Sequence, residues 1–164
     1  MITVQQDDFD AGALLEQLHA GTAGRAGAIV SFTGYVRDFS PGEATEVLFL
    51  EHYPGMCERE LEEIAAQAKA RWQVADAIIV HRVGALPRDA QIVFVAAASA
   101  HRGDAFRACE FMIDALKTRA PFWKRETLAS GRSFWVEQRA ADADRTQSWE
   151  TGSAAATSDP RKTT

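Results

Sequence analysis

The sequence predicts an α+β protein: a two-layer sandwich with a mainly antiparallel or mixed sheet and about three helices. Three observations lead there. Strand-like and helix-like periodicities interleave along residues 1–139. Residues 91–99 are apolar on both faces, the pattern of a central strand covered twice. Residues 56–72 and 103–119 each carry one apolar stripe, which a sheet would cover.

The elements follow in order. Residues 2–4 form a short strand. Asp10 caps a helix that carries Leu14, Leu15 and Leu18 on one side. Residues 27–37 alternate: Ala28, Val30, Phe32, Gly34 and Val36 take one face, and a more polar set takes the other. Ser40-Pro41-Gly42 marks a loop, and residues 45–53 form a second strand, expected to pair with the first as a hairpin. Pro54-Gly55 breaks it before the helix of residues 56–72, where Leu61, Ile64, Ala65, Ala68 and Trp72 recur at helical spacing. Residues 76–83 and 91–99 are strands around a Gly-Ala-Leu-Pro-Arg-Asp connection. The next helix buries Phe106, Cys109, Met112, Ile113 and Leu116, and has Asp104 at its start and Lys117 and Arg119 at its end, as its dipole favours. Pro121 stops it. Residues 122–128 and 132–137 close as a hairpin around Gly131. Residues 140–164 are rich in Ala, Ser, Thr and Asp, with Trp149 the only large apolar side chain. Such composition predicts a mobile tail after a single domain of residues 1–139, with Trp149 able to anchor a short docked turn.

Composition limits the function classes. The 164 residues carry 18 Lys and Arg against 23 Asp and Glu, a net charge of -5. A general nucleic-acid binder is usually basic, so nucleic acid is not the expected partner. No apolar run approaches the roughly 18 residues of a membrane span. The N-terminus has neither the basic nor the apolar region of a signal peptide, and a cytoplasmic setting is expected. Cys57 and Cys109 make no CxxC, so no zinc site of cysteines is expected, and the four histidines lack metal-ligand spacing. Phosphate-loop, nucleophile-elbow and dinucleotide motifs are missing from the sequence.

The most informative segment is Lys117-Thr118-Arg119-Ala120-Pro121-Phe122-Trp123-Lys124-Arg125-Glu126. Pro121 separates Lys117, on a helix end, from Lys124, on the strand or loop beyond. A chain reversal there could bring two amines to one anionic ligand, and a lysine crowded by cations can exchange protons. The plainer reading is a helix end dressed with cations for its dipole. Ser99-Ala100-His101-Arg102 follows the central strand at a helix start, a place where backbone N–H groups meet anions; it can equally be a satisfied turn. Arg37 ends a strand and could clamp a phosphate or form a surface ion pair. His52 and His81 read as structural, and Cys109 as a core residue.

Several blocks, in order, resemble the family of large, catalytic subunits of molybdopterin synthase, the MoaE family. They are Phe32-Thr33-Gly34-Tyr35-Val36-Arg37, Leu50-Glu51-His52-Tyr53-Pro54-Gly55-Met56, His81-Arg82-Val83-Gly84, Ile92-Val93-Phe94-Val95 through Ser99-Ala100-His101-Arg102, the Lys117 to Glu126 run, and Trp135-Val136-Glu137. Together they span roughly residues 27–139. Ile113 departs from the methionine of some members.

The resemblance implies a sulfur-transfer enzyme of molybdenum cofactor biosynthesis. Its substrate would be cyclic pyranopterin monophosphate and its product molybdopterin, a dithiolene. Sulfur would come from the C-terminal thiocarboxylate of a small ubiquitin-like subunit whose Gly-Gly tail enters the large subunit. The assembly implied is a heterotetramer around a homodimer of large subunits. Lys117 would sit beside the donor carbonyl, and Lys124 would aid substrate binding or proton transfer. Arg37, His101 and Arg102 would bind phosphate or pterin, Phe32 would line the pocket, and Arg139 would come from the second large subunit. No resident cofactor or metal is implied. Two other readings remain open: a non-catalytic docking module for a Gly-Gly tail, and an RNA-binding domain using Phe122, Trp123, Lys124 and Arg125.

Overall fold

Two four-stranded sheets carry the fold. The computed structural model describes residues 1–38, 42–136 and 140–151. Its elements are β1 (Ile2–Gln5), α1 (Ala11–Gly21), β2 (Ala28–Tyr35), β3 (Thr45–Glu51), α2 (Met56–Arg71), β4 (Val74–Arg82), β5 (Gly84–Pro87), β6 (Gln91–Ser99), α3 (Arg102–Arg119), β7 (Trp123–Leu128), β8 (Ser133–Val136) and α4 (Ala140–Thr151). The first sheet runs β1-β4-β6-β2 and is mixed, because β1 lies parallel to β4 while β6 is antiparallel to both its neighbours. The second runs β5-β3-β7-β8 and is antiparallel throughout. The α+β class and the mixed and antiparallel pairing are those the sequence predicts.

Burial explains the layering. On one face of the first sheet, Leu61 and Ile64 of α2 and Phe111 and Met112 of α3 pack with Ile79 and Val95. On the other, Leu18 of α1 joins Ile78, Val80, Phe94, Ala96 and Ala98. Strand β6 is therefore covered twice, as its unbroken apolar run requires. A third cluster of Val36, Leu48, Leu50 and Leu86 joins the end of the first sheet to the second.

Local chemistry sets the ends of the elements. The Ala13 N–H donates to Asp10 Oδ1 at 3.0 Å, the cap expected of α1. The chain enters α2 through Gly55 at φ 80°, and its N–H donates to Glu58 Oε2 at 2.6 Å. A side chain at that φ would be strained.

Four expectations are corrected. Strands β2 and β3 do not form a hairpin: β2 pairs with β6 and β3 with β5 and β7, so the two belong to different sheets. The inward Leu48 and Leu50 of β3 find their apolar partners in the third cluster instead. The Gly84 to Pro87 connection is strand β5, entered through Gly84 at φ 83°. Phe106 is 61% exposed; Phe111 takes the buried place in the stripe. Finally, Ala140–Thr151 form helix α4, where composition predicts a mobile tail; residues 152–164 of that stretch lie outside the described residues. Trp149 is the anchor the sequence allows for: its ring meets Trp72 and Phe111 edge-on at 5.6 and 5.8 Å, and its Nε1–H donates to the buried Asp114 Oδ2 at 2.9 Å.

Candidate functional site

Two arginines of the cationic run make structural contacts. The Arg119 guanidinium is committed to α2, donating to Glu60 Oε1 from Nε at 2.8 Å and to Gln67 Oε1 from Nη1 at 2.8 Å. Arg125 lies over the rings of Phe49 and Trp135, at 5.1 and 5.7 Å from their centroids. Lys117 and Lys124 are the amines nearest the connection at Pro121, one on each side of the helix stop.

Lys124 sits on β7 opposite Leu50 of β3 and Val136 of β8. It lies beside His81, at the end of the first sheet where β6 begins, since His81 pairs with Val93. The His81 ring stacks on Phe122 with centroids 3.9 Å apart and planes at 11°. Its Nδ1 lies 2.8 Å from the Arg82 carbonyl oxygen. Burial, helped by the charges of Lys124 and His52 and opposed by the Arg82 carbonyl, pushes the imidazole pKa down to about 4. His81 is thus the neutral, satisfied sheet histidine the sequence predicts, and it forms an uncharged wall beside a cation.

Arg37 belongs to the same end. It follows Val36, whose N–H donates to the Ala90 carbonyl and whose carbonyl accepts from the Asp89 N–H. Its Nη1 donates to the Asp38 carbonyl at 3.1 Å. Lys117 returns to this end because α3 runs back over β6, as the Cys109 thiol at 3.8 Å from the Val95 carbonyl shows. Lys117 Nζ lies 3.5 Å from Asp142 Oδ1 of α4. Phe32 stands mid-strand on β2 opposite Val95 and is 41% exposed, an accessible aromatic.

His101 and Arg102 are elsewhere. They begin α3 at the far end of β6, where β2 starts, and both are exposed. There the Gly27 N–H donates to the Ser99 carbonyl at 2.9 Å. A Cβ on Gly27 would meet the Ala100 carbonyl oxygen at 2.6 Å, so only glycine allows this approach. Gly27, Ala100, His101, Arg102 and Gly103 line a depression of about 480 Å³. The structure therefore brings Lys124, Arg37 and Lys117 to one end of the first sheet and leaves His101 and Arg102 at the other. Arg139 lies outside the described residues.

Sequence reasoning gave no role to Glu126, although it lies in the run. Its side chain is fully buried and accepts a hydrogen bond from Thr45 Oγ1, which ties β7 to β3 two residues along the strand from Lys124. Alternation with Lys124 and Leu128 was the available signal, because it places Glu126 on the inward face. The two cysteines are buried, and burial pushes the Cys57 thiol up and the Cys109 thiol to about 11. Neither is poised as a nucleophile. Among the described residues no group of three or more His, Cys, Asp or Glu could hold a metal ion, and no helix is long and apolar enough to cross a membrane.

The MoaE protein family model matches residues 4–119. The chain belongs to the MoaE family. A molybdopterin synthase catalytic subunit of Pseudomonas aeruginosa is 53% identical over 149 residues, which cover 91% of this chain and 98% of that protein. The corresponding subunit of Vibrio cholerae is 46% identical over 91% of this chain and 97% of its own length. Among solved structures, a molybdopterin biosynthesis MoaE protein from Burkholderia ambifaria superposes with a TM-score of 0.78 at 47% identity, covering 92% of this chain and 97% of that one. Molybdopterin synthase from Staphylococcus aureus gives 0.73 at 35% identity, covering 82% and 95%.

Proposed function

We propose that this chain is the catalytic subunit of a molybdopterin synthase. It converts cyclic pyranopterin monophosphate to molybdopterin with sulfur from the C-terminal thiocarboxylate of a small ubiquitin-like subunit. The observation that carries this reading is the near full-length match to molybdopterin synthase catalytic subunits, joined to the two lysines that the framework leaves flanking Pro121. The setting is cytoplasmic, which suits two buried, unpaired thiols.

Both ligands are anions, a phosphate ester and a thiocarboxylate, and the site collects cations in a protein of net charge -5. The thiocarboxylate sulfur attacks an electrophilic side-chain carbon of the precursor. A C–S bond forms, and the cyclic phosphate opens as its C–O bond breaks. Lys117, beside the donor carbonyl, stabilises the developing charge and moves the proton. Lys124 and Arg37 hold the phosphate, and Phe32 lines the pterin side. Water then cleaves the thioester, leaving sulfur on the product and a carboxylate on the donor, and a second donor repeats the transfer at the neighbouring carbon, whose oxygen leaves as water.

His101 and Arg102 complete the site from a second copy of the chain, in the homodimer at the centre of the heterotetramer, together with Arg139. Support for this is their separation from Lys124 and Arg37 within one chain. Reconstitution tests the function: this protein, a thiocarboxylated small subunit and the cyclic precursor should yield a dithiolene, read by oxidation to a fluorescent pterin. Small-subunit binding without product would favour a docking module instead.

A further inference from the structure

Helix α4 is fastened along α3 by a ladder of polar contacts. Arg145 pairs with Glu110 at 2.9 Å and with Asp114 at 3.2 Å. Trp149 donates to the same Asp114 carboxylate, which is buried. Thr146 and Thr118 share a hydrogen bond of 2.8 Å, and Thr146 also donates to the Asp114 carbonyl. The last rung is Asp142 on Lys117, at 3.5 Å. Glu110, Asp114, Lys117 and Thr118 follow helical spacing, so one face of α3 receives Asp142, Arg145, Thr146 and Trp149 of α4. The other rungs hold structural side chains, whereas this one holds the amine assigned to the chemistry.

A lysine has four rotatable bonds and no fixed direction of its own. Lys117 is half exposed, and Asp142 is mostly covered. A covered carboxylate on a docked helix is a fixed point for a mobile ammonium. We infer that Asp142 is a positioning residue: it holds the Lys117 amine over the reaction site, and the Asp114–Trp149–Arg145 contacts hold Asp142. The inference rests on the proposed role of Lys117, and it makes α4 part of the active site.

The test compares Asp142→Asn, Asp142→Glu and Asp144→Asn in the full-length protein. Asp144 is exposed on the same helix, so its variant controls for charge. Two readouts are needed. In single-turnover sulfur transfer, Asp142→Asn lowers the rate about ten- to a hundred-fold with KM for the precursor little changed, Asp142→Glu restores part of it, and Asp144→Asn matches wild type. In lysine acylation read by mass spectrometry, without substrate or partner, Asp142→Asn raises Lys117 labelling several-fold and leaves Lys69, paired with Asp76 at 2.7 Å, unchanged. Unchanged Lys117 labelling, or a normal rate in Asp142→Asn while Lys117→Ala is inactive, would overturn the inference. An inactive wild type alone would overturn the proposed function, and labelling would still decide whether Asp142 fixes the amine.

Discussion

Arg37 and His101 lie beyond opposite ends of one strand pair. Tyr35 of β2 pairs with Gln91 where β6 begins, and Ala28 pairs with Ser99 where it ends. At about 3.3 Å per residue the eight residues of β2 separate the two ends by roughly 23 Å. No pterin phosphate reaches across that span, so the two groups serve one ligand only if a second chain supplies one of them. A two-fold axis does this twice, giving two equal sites. Lys117→Ala and Arg102→Ala homodimers should each be inactive. Random mixing of equal amounts, after dissociation and reassembly, should restore about a quarter of wild-type activity, because half the dimers carry one intact site. No recovery on mixing would place both residues in the site of a single chain.

The buried His81 sets an acid limit on stability. Its folded pKa of about 4 lies below the ordinary value of 6.5. Between these values the unfolded chain binds a proton that the folded chain does not. Stability is therefore fully present above pH 6.5, declines as pH falls toward 4, and levels off below. The complete loss amounts to about 3 kcal/mol. Urea unfolding between pH 4 and pH 7.5 should show this slope, and His81→Gln should flatten it.

In the proposed reaction sulfur arrives on the partner, which leaves the thiols of this chain as spectators. Cys57 and Cys109 are buried, and both are held above the ordinary thiol range. The double variant Cys57→Ala, Cys109→Ala should keep sulfur transfer within about twofold while losing roughly 1–2 kcal/mol of stability from packing. Activity and thermal unfolding measured on one preparation separate the two effects.

Trp149 is the apolar anchor of α4. Its removal takes away ring contacts with Trp72 and Phe111 and strips a donor from the buried Asp114 carboxylate. Trp149→Ala should lower stability by roughly 2 kcal/mol. Trp149→Phe should lose less, since a ring remains, yet still expose the cost of the missing hydrogen bond. Denaturant midpoints of the three proteins give the comparison.

What the sequence made legible follows from periodicity. Strand β6 reads correctly because nine residues without a polar face demand cover on both sides, and α2 and α3 read correctly because their stripes hold register. The pairing of β3 does not read, because Leu48 and Leu50 announce an inward face without saying which sheet supplies it. Four-residue β5 is too short for any period to show. Phe106 misleads since its spacing fits the stripe while the helix turns it to solvent. Helix α4 is hidden by composition: one tryptophan and a few polar rungs do the work that apolar residues do elsewhere. In the site, the lysines flanking Pro121 are legible from charge and helix-breaking chemistry. The distance between Arg37 and His101 is not, because it depends on the strand register alone.

The most direct measurement is the rate of dithiolene formation by wild type and by Lys117→Ala, with the thiocarboxylated small subunit saturating both. Lys117 is exposed at a helix end, so its truncation leaves the core intact. The account predicts product from wild type, and a rate at least about a hundred-fold lower in the variant with small-subunit affinity and thermal midpoint retained. Equal rates in the two proteins would contradict it.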